Sequence, residues 1–377
     1  MKFLIKRPGK RSPKTFAQTP KEVRDTAQKA SQLIAFRKEQ YTLGGILRLQ
    51  ASHIKKEDLL EAYMDPEKAA GNLDKIIWNP PREPHPFLGC QLMRFRLGEY
   101  RVNAQHMRGT RDVVMPKPPN TLRVFLLGGS TAFGSGAPGE KETIAQYMEN
   151  TLVSFLKPKN ISVEVFNAAA ANWGTTHERI LIENRLFRLA PDIVVSLSGM
   201  NDIFFASRGQ DTTEVTTSYF NLFLDQINLS MVLAGCRPYN GRPVPQEGMF
   251  PLEEMAENIL HNLQLAAFCL RQIPCPYLFA LQPFLGYGKK DQSTTEKKNL
   301  KRSRKIGLGV DENIVFQGCE LIENKLTTCK IDNLSFLNLK NIFAEYNETM
   351  YLDTVHFGDK GNRIIGEALA EKIITLI

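Results

Sequence analysis

The sequence predicts an α/β protein: a five-stranded parallel sheet between two helix layers, preceded by a helical extension. Three observations carry this. Five short apolar runs, RVFLL (123–127), SVEVF (162–166), DIVVSLS (192–198), PYLFALQPF (276–284) and SFLNL (335–339), recur along residues 121–377. Runs that are apolar on both faces belong to strands covered on both sides, as in parallel sheets. Between them, ETIAQYMENTLVSFL, THERILIENRLFRLA and PLEEMAENILHNLQLAAFCLRQI space apolar residues three and four apart, the period of a helix with one buried face. Residues 1–75 lack such runs and hold helix formers instead: KEVRDTAQKASQLIAFRKEQY after Thr19-Pro20, then KEDLLEAYM and EKAAGNLDKII.

Residues 76–120 differ from both. NPPREPHPF and MPKPPN are proline-rich and irregular, with a hairpin predicted through FRLGEYRVN. Phe87, Leu88, Phe95 and Tyr100 make this a segment that covers the main domain, not a free linker. The predicted organisation is therefore a basic helical extension (1–75), a covering segment (76–120) and a main domain (121–377).

Composition excludes several classes. Apolar residues make up 42% of the 377 and charged residues 23%. These are ordinary values for a globular chain, so a disordered, collagen-like or disulfide-scaffold protein is excluded. No apolar run is long enough to cross a bilayer. The opening MKFLIKRPGKRSP holds too short an apolar stretch for a secretory signal, which predicts a cytoplasmic protein. The net charge of +8 lies wholly in residues 1–40, where eleven Lys/Arg face three acids. Such an arm is either a solvated end or a contact for an acidic partner. The body has no basic and aromatic stripe of the kind that binds nucleic acid. The six cysteines form no CxxC pair and no Cys/His cluster, so reduced thiols and no structural metal are predicted. GSGAPG (134–139) matches a dinucleotide fingerprint, but it begins seven residues after the preceding apolar run and contains a proline, which rejects it.

Function in parallel sheets gathers where strands end. After RVFLL comes Gly128-Gly129-Ser130-Thr131, where two glycines allow a sharp turn into a helix. After SVEVF comes Asn167-Ala168-Ala169-Ala170-Ala171-Asn172-Trp173-Gly174, and after DIVVSLS comes Gly199-Met200-Asn201-Asp202. Beyond the last run lies Asp353-Thr354-Val355-His356. A serine, an asparagine and an Asp-x-x-His pair at strand ends are the groups that acyl transfer needs.

These blocks, GGSTAFG, NAAAANWG, SGMND and DTVHFGDKGNRIIGEALA in that order, resemble the SGNH (GDSL-type) hydrolase superfamily over about 121–377, with GGST in place of GDSL as in a bacterial branch. The resemblance implies a three-layer, flavodoxin-like α/β/α fold. It implies Ser130 as nucleophile, His356 as general base and Asp353 orienting the imidazole. Its oxyanion hole would be formed by the Ser130 N–H, a second-block N–H and the Asn201 side chain. The family's second-block glycine falls on Asn172, with Gly174 two residues on, and both stay open. A hydroxyl becomes a nucleophile only when a neighbouring base takes its proton, and a carboxylate fixes the imidazole tautomer that can do so.

The resemblance implies a serine esterase acting on acyl esters, foremost O-acetyl esters on carbohydrate, without cofactor or metal. The alternatives are an O-acyltransferase with the same triad and a catalytically silent binding protein. Trp173, Phe204, Phe205, Gln282, Phe284 and Tyr287 are candidate pocket walls, although Trp173 equally fits a place under its loop. LGYGKKDQSTTEKKNLKRSRKIGLGVDEN, rich in Lys and Arg, reads as a mobile lid or binding loop, suited to an anionic substrate or simply solvated. His177 and Glu178 are expected on the surface at a helix start, Asp202 as a brace for its loop, and Asp359 as a helix cap.

Overall fold

The computed structural model describes residues 38–49, 55–213, 248–306 and 311–377, with a few isolated positions besides. The basic arm, nearly all of the helix expected after Pro20 and nearly all of residues 214–247 lie outside the described residues.

Ahead of the main sheet come helices α1 (Leu43–Leu49), α2 (Lys56–Leu60) and α3 (Pro66–Gly71). Proline at the first position of α3 gives up an N–H that has no helical partner anyway, and the Asp65 carboxylate accepts from Lys68 N. Two antiparallel pairs follow: β1 (Arg82–His85) with β2 (Gly89–Leu92), then β3 (Arg96–Leu97) with β4 (Tyr100–Arg101), the predicted hairpin.

The main sheet contains β5 (Thr121–Gly128), β6 (Ser162–Asn167), β7 (Ile193–Ser198), β8 (Tyr277–Leu281) and β9 (Leu334–Asn338), ordered β6-β5-β7-β8-β9 and parallel throughout. Each expected run falls on one of these strands. β7 and β8 are buried at every position, so both their faces are covered. Each large apolar side chain so buried stabilises the fold by roughly 1.5–3 kcal/mol before entropy is counted. Helices α5 (Ile144–Leu156) and α11 (Asp359–Ile374) pack together as one layer; α6 (Thr175–Asn184), α8 (Leu252–Arg271) and α10 (Glu312–Thr328) form the other. This is a three-layer α/β/α fold.

The chain begins in the sheet at β5, moves out to β6, then crosses back to β7 on the far side of β5. At such a reversal the connecting segments diverge and leave a crevice outside the carboxyl ends of the strands. Two short helices, α4 (Ser130–Phe133) and α7 (Met200–Ala206), start at that crevice, directly after β5 and β7. The amino ends of the strands are closed by charge instead. Arg123, fully buried, donates to Glu164, to the Leu189 carbonyl and to the Val114 carbonyl, so its buried charge is satisfied.

The described residues ahead of β5, 38–49 and 55–120, pack onto this sheet and its helices. A second, smaller core gathers Leu43, Leu59, Ala62, Tyr63, Ala69 and Ile76 around Leu352, the residue before Asp353. Tyr63 Oη donates to the Gly136 carbonyl at 2.8 Å, and Met64 N donates to Asp359 at 2.8 Å. Asp359 thus ties the front helices to the start of α11, where the expectation was a local cap. The basic stretch expected to be a mobile lid contains an ordered helix, α9 (Thr294–Ile306), packed through buried Thr295, Glu296, Asn299 and Leu300. No described helix is long and apolar enough to cross a membrane.

Candidate active site

Backbone geometry at the end of β5 sets Ser130. Gly128 has a φ of +140°, and a Cβ there would stand 2.2 Å from the Leu197 carbonyl oxygen of β7. Only glycine permits both the turn and the contact. Gly129 is pressed just as closely: a Cβ would stand 2.3 Å from Asn201 Nδ2. The turn therefore lifts Ser130 onto the first position of α4 with Asn201 beside it.

Asp353 and His356 arrive on a hairpin. Gly358 N donates to the Met350 carbonyl, Tyr351 pairs with Phe357, and Leu352 N donates to the His356 carbonyl. At its tip, Asp353 Oδ1 accepts from both Val355 N and His356 N at 2.8 Å, a turn built by the aspartate on its own backbone. Its other oxygen, Oδ2, lies 2.7 Å from His356 Nδ1, and His356 Nε2 lies 2.8 Å from Ser130 Oγ. A carboxylate can only accept, so Nδ1 carries the proton and Nε2 is left to accept from the serine hydroxyl. Burial pushes the Asp353 carboxyl up. The charge and hydrogen bond of His356 and the two N–H donors outweigh that, and the net shift is down. The carboxylate stays ionised at neutral pH.

Asn201 Nδ2 donates one hydrogen to the Trp173 carbonyl at 2.7 Å, which joins the loop after β6 to the start of α7. Asp202 adds a second tie, accepting from both Thr175 N and Thr175 Oγ1. The loop after β6 is thus braced against the Asn201 block by consecutive residues. Asn172 adopts a left-handed backbone with a φ of 63°, a conformation asparagine tolerates. Gly174 N donates to His177 Nδ1 at 3.2 Å, closing the start of α6. That N–H is therefore engaged within the start of α6.

The structure brings Ser130, Asp353 and His356 together in one chain of hydrogen bonds, with Asn201 against the serine turn. The expected pocket walls divide. Gln282 is close by, its Nε2 donating to the Val355 carbonyl at 3.4 Å. Phe204 is half-buried on α7, packed against the main core. Trp173 is buried under its loop, stacked on His177 with ring centroids 6.0 Å apart. Tyr287 is turned to α10, its hydroxyl donating to Glu323 and its ring against Phe316.

His177 and Glu178 are not on the surface: both are buried beneath the site. The first turn of α6 enters the crevice to meet Asp202, so polar residues that usually face water point inward. Burial pushes the His177 imidazole down to about 4, Glu178 up to about 7 and Asp202 up to about 6. Two buried carboxyls, Glu178 and Asp202, therefore hold their protons to a higher pH than exposed carboxyls do.

One neighbour of the site went unread in the sequence. Trp78, far from the other blocks along the chain, places its ring against His356. Its carbonyl accepts from Ser135 Oγ at 2.6 Å, and Ile77 beside it accepts from Gly136 N. A tryptophan before a proline-rich stretch carries no sequence mark of such a place.

No protein-family model and no curated protein matches the chain. Among solved structures it is similar to the acetyl xylan esterase AlAXEase, at 15% identity and a TM-score of 0.39, over 68% of this chain and 100% of that one. It is similar to Est24, a carbohydrate acetylesterase from Sinorhizobium meliloti, at 14% identity and a TM-score of 0.39, over 68% and 100%. It is also similar to Axe2, an acetylxylan esterase from Geobacillus stearothermophilus, at 14% identity and a TM-score of 0.37, over 67% and 94%. At these scores the likeness adds nothing to what the site's own geometry supports.

Proposed function

We propose that this protein is a serine esterase that hydrolyses acyl esters, foremost O-acetyl esters on a carbohydrate, through an acyl-serine intermediate. Residues 121–377 would form the catalytic domain and residues 76–120 its cover. The observation that carries this reading is the unbroken relay from Asp353 through His356 to Ser130, with hydrogen bonds of 2.7 and 2.8 Å. The carbohydrate half of the reading is supported by the resemblance of the GGST block to a bacterial branch of the SGNH superfamily.

Ser130 Oγ attacks the ester carbonyl carbon as its proton passes to His356 Nε2. The imidazolium that forms is stabilised by the ionised Asp353. The carbonyl oxygen becomes an oxyanion facing the Ser130 N–H, a backbone N–H of the loop after β6, which the resemblance puts at Asn172 or Gly174, and the second hydrogen of Asn201 Nδ2, the first being held by Trp173. Each such donor is worth about 3–4 kcal/mol in the transition state. Collapse of the intermediate breaks the bond to the alcohol oxygen, which leaves with the proton from His356. Water then repeats the sequence on the acyl-serine, giving the free acid and restoring Ser130.

The test is hydrolysis of p-nitrophenyl acetate and acetylated oligosaccharides by wild type and Ser130→Ala, with fluorophosphonate labelling located by mass spectrometry. The expected result is a label on Ser130 and loss of hydrolysis in the variant. An unlabelled Ser130 together with undiminished hydrolysis by Ser130→Ala overturns the proposal. Release of free acetate, with no transfer to added sugar alcohols, separates hydrolysis from acyl transfer.

A further inference from the structure

The segment around α9 carries a buried ion pair whose contacts converge on the Asp353–His356 hairpin. Lys290 Nζ lies 2.9 Å from Glu296 Oε2, with the lysine side chain 8% exposed and the glutamate fully buried. Burying two charges is costly unless every remaining polar atom finds a partner. Here they do. The ammonium also donates to the carbonyls of Tyr346 and Glu348, each at 3.0 Å, and to that of Asp291 at 3.1 Å. Glu296 Oε2 accepts from Ser293 N at 2.9 Å, while Oε1 accepts from Met350 N at 2.9 Å and Tyr351 N at 3.3 Å.

The backbone atoms bound this way belong to the approach and base of the hairpin. Tyr346 and Glu348 lie on its approach, Met350 and Tyr351 at its base. Two further bonds run alongside: Ser293 Oγ to Thr349 Oγ1 at 2.7 Å, and Asn299 Nδ2 to the Leu352 carbonyl at 3.3 Å. From Met350 and Tyr351 the hairpin ladder leads in two residues to Asp353. A fully bonded ion pair is rigid and directional, whereas an apolar contact at the same place would leave the strand free to slide.

We infer that Lys290 and Glu296 are positioning residues for the triad. They fix the base of the hairpin and thereby the distance between His356 Nε2 and Ser130 Oγ. The stretch that reads in the sequence as a loose basic lid is a strap on the catalytic loop. This inference rests on the esterase reading above.

The experiment compares wild type with Glu296→Gln, Lys290→Gln and Lys290→Arg, all checked for folding by circular dichroism and assayed well below their melting temperatures. Lys290→Gln leaves the carboxylate its three backbone donors, and it stands in if Glu296→Gln does not fold. The expected result is a fall of about tenfold or more in the fluorophosphonate labelling rate of Ser130 and in kcat, the scale on which an ångström of misplacement tells. KM for p-nitrophenyl acetate should stay within about twofold, since substrate binding is not touched. Lys290→Arg, which keeps the charge, should recover most of the loss. The downfield proton resonance of the His356 Nδ1–H bond to Asp353 should broaden or move in both glutamine variants. Folded glutamine variants that melt earlier yet label at the wild-type rate, with that resonance unmoved, overturn the inference and leave only a stabilising role. If wild type itself fails to label at Ser130, the esterase reading falls instead, and the resonance alone still tests the strap.

Discussion

The ring centroid of Trp78 stands 4.6 Å from that of His356, with the two planes tilted by 53°. An indole in this place shields the imidazole from water on one side and limits its rotation. Trp78→Ala is therefore expected to lower kcat/KM for p-nitrophenyl acetate by about tenfold, whereas Trp78→Phe, which keeps an aromatic face, retains most of it. Steady-state kinetics on the two variants check this, and equal rates in Trp78→Ala and wild type refute it.

Asp353→Asn separates orientation from folding. An asparagine oxygen can still accept from Val355 N and His356 N, so the turn should survive with little change in melting temperature. The imidazole loses the carboxylate that holds its tautomer, and kcat should drop by about 10³ to 10⁴. Parallel calorimetry and ester hydrolysis measure both halves.

The contact between Gly129 and Asn201 gives a third prediction. A methyl group on residue 129 would stand 2.3 Å from Asn201 Nδ2 and 3.3 Å from the Trp173 carbonyl, so Gly129→Ala must push the amide away. It should cost about 10² to 10³ in kcat, the scale for losing one oxyanion donor. Asn201→Ala should cost a similar amount, and the double variant little more, because both changes remove the same donor. Additive losses in the cycle would contradict this.

Stability should depend on pH through Glu178. Its folded carboxyl is pushed up to about 7 from an ordinary 4.5, chiefly by burial. Between those values the folded state holds a proton that the unfolded chain has released, so stability falls as pH rises through that window. The full effect is on the order of 3 kcal/mol. Glu178→Gln removes it, so the melting temperature of the variant relative to wild type should climb between pH 5 and pH 8. His177, pushed down to about 4, acts in the opposite direction and is common to both proteins, so it drops out of the difference. A pH-independent difference between the two melting curves would count against the prediction.

Much of the fold is legible because parallel strands covered on both faces must be apolar at successive positions. Residues 123–127, 162–166 and 192–198 announce β5, β6 and β7 to within two residues at either end. The short-range geometry of the site is legible for a similar reason. Gly128-Gly129-Ser130 turns on glycine's left-handed freedom, and Asp353-Thr354-Val355-His356 on the aspartate carboxylate bonding the next N–H groups. The misreadings share a cause as well. His177, Glu178 and the Lys290–Glu296 segment are polar, and polar residues default to water until a partner elsewhere in the fold accounts for them.

The sequence by itself determined the strands, the turns at their ends and the residue types capable of acyl transfer, since each depends on neighbours a few residues apart. The tertiary structure alone decided that Trp78 meets His356, that His177 and Glu178 are buried, and that a basic stretch is folded down as a strap. Those outcomes depend on pairings between distant segments. Their energies come from mutual burial and hydrogen bonding, which no single segment carries.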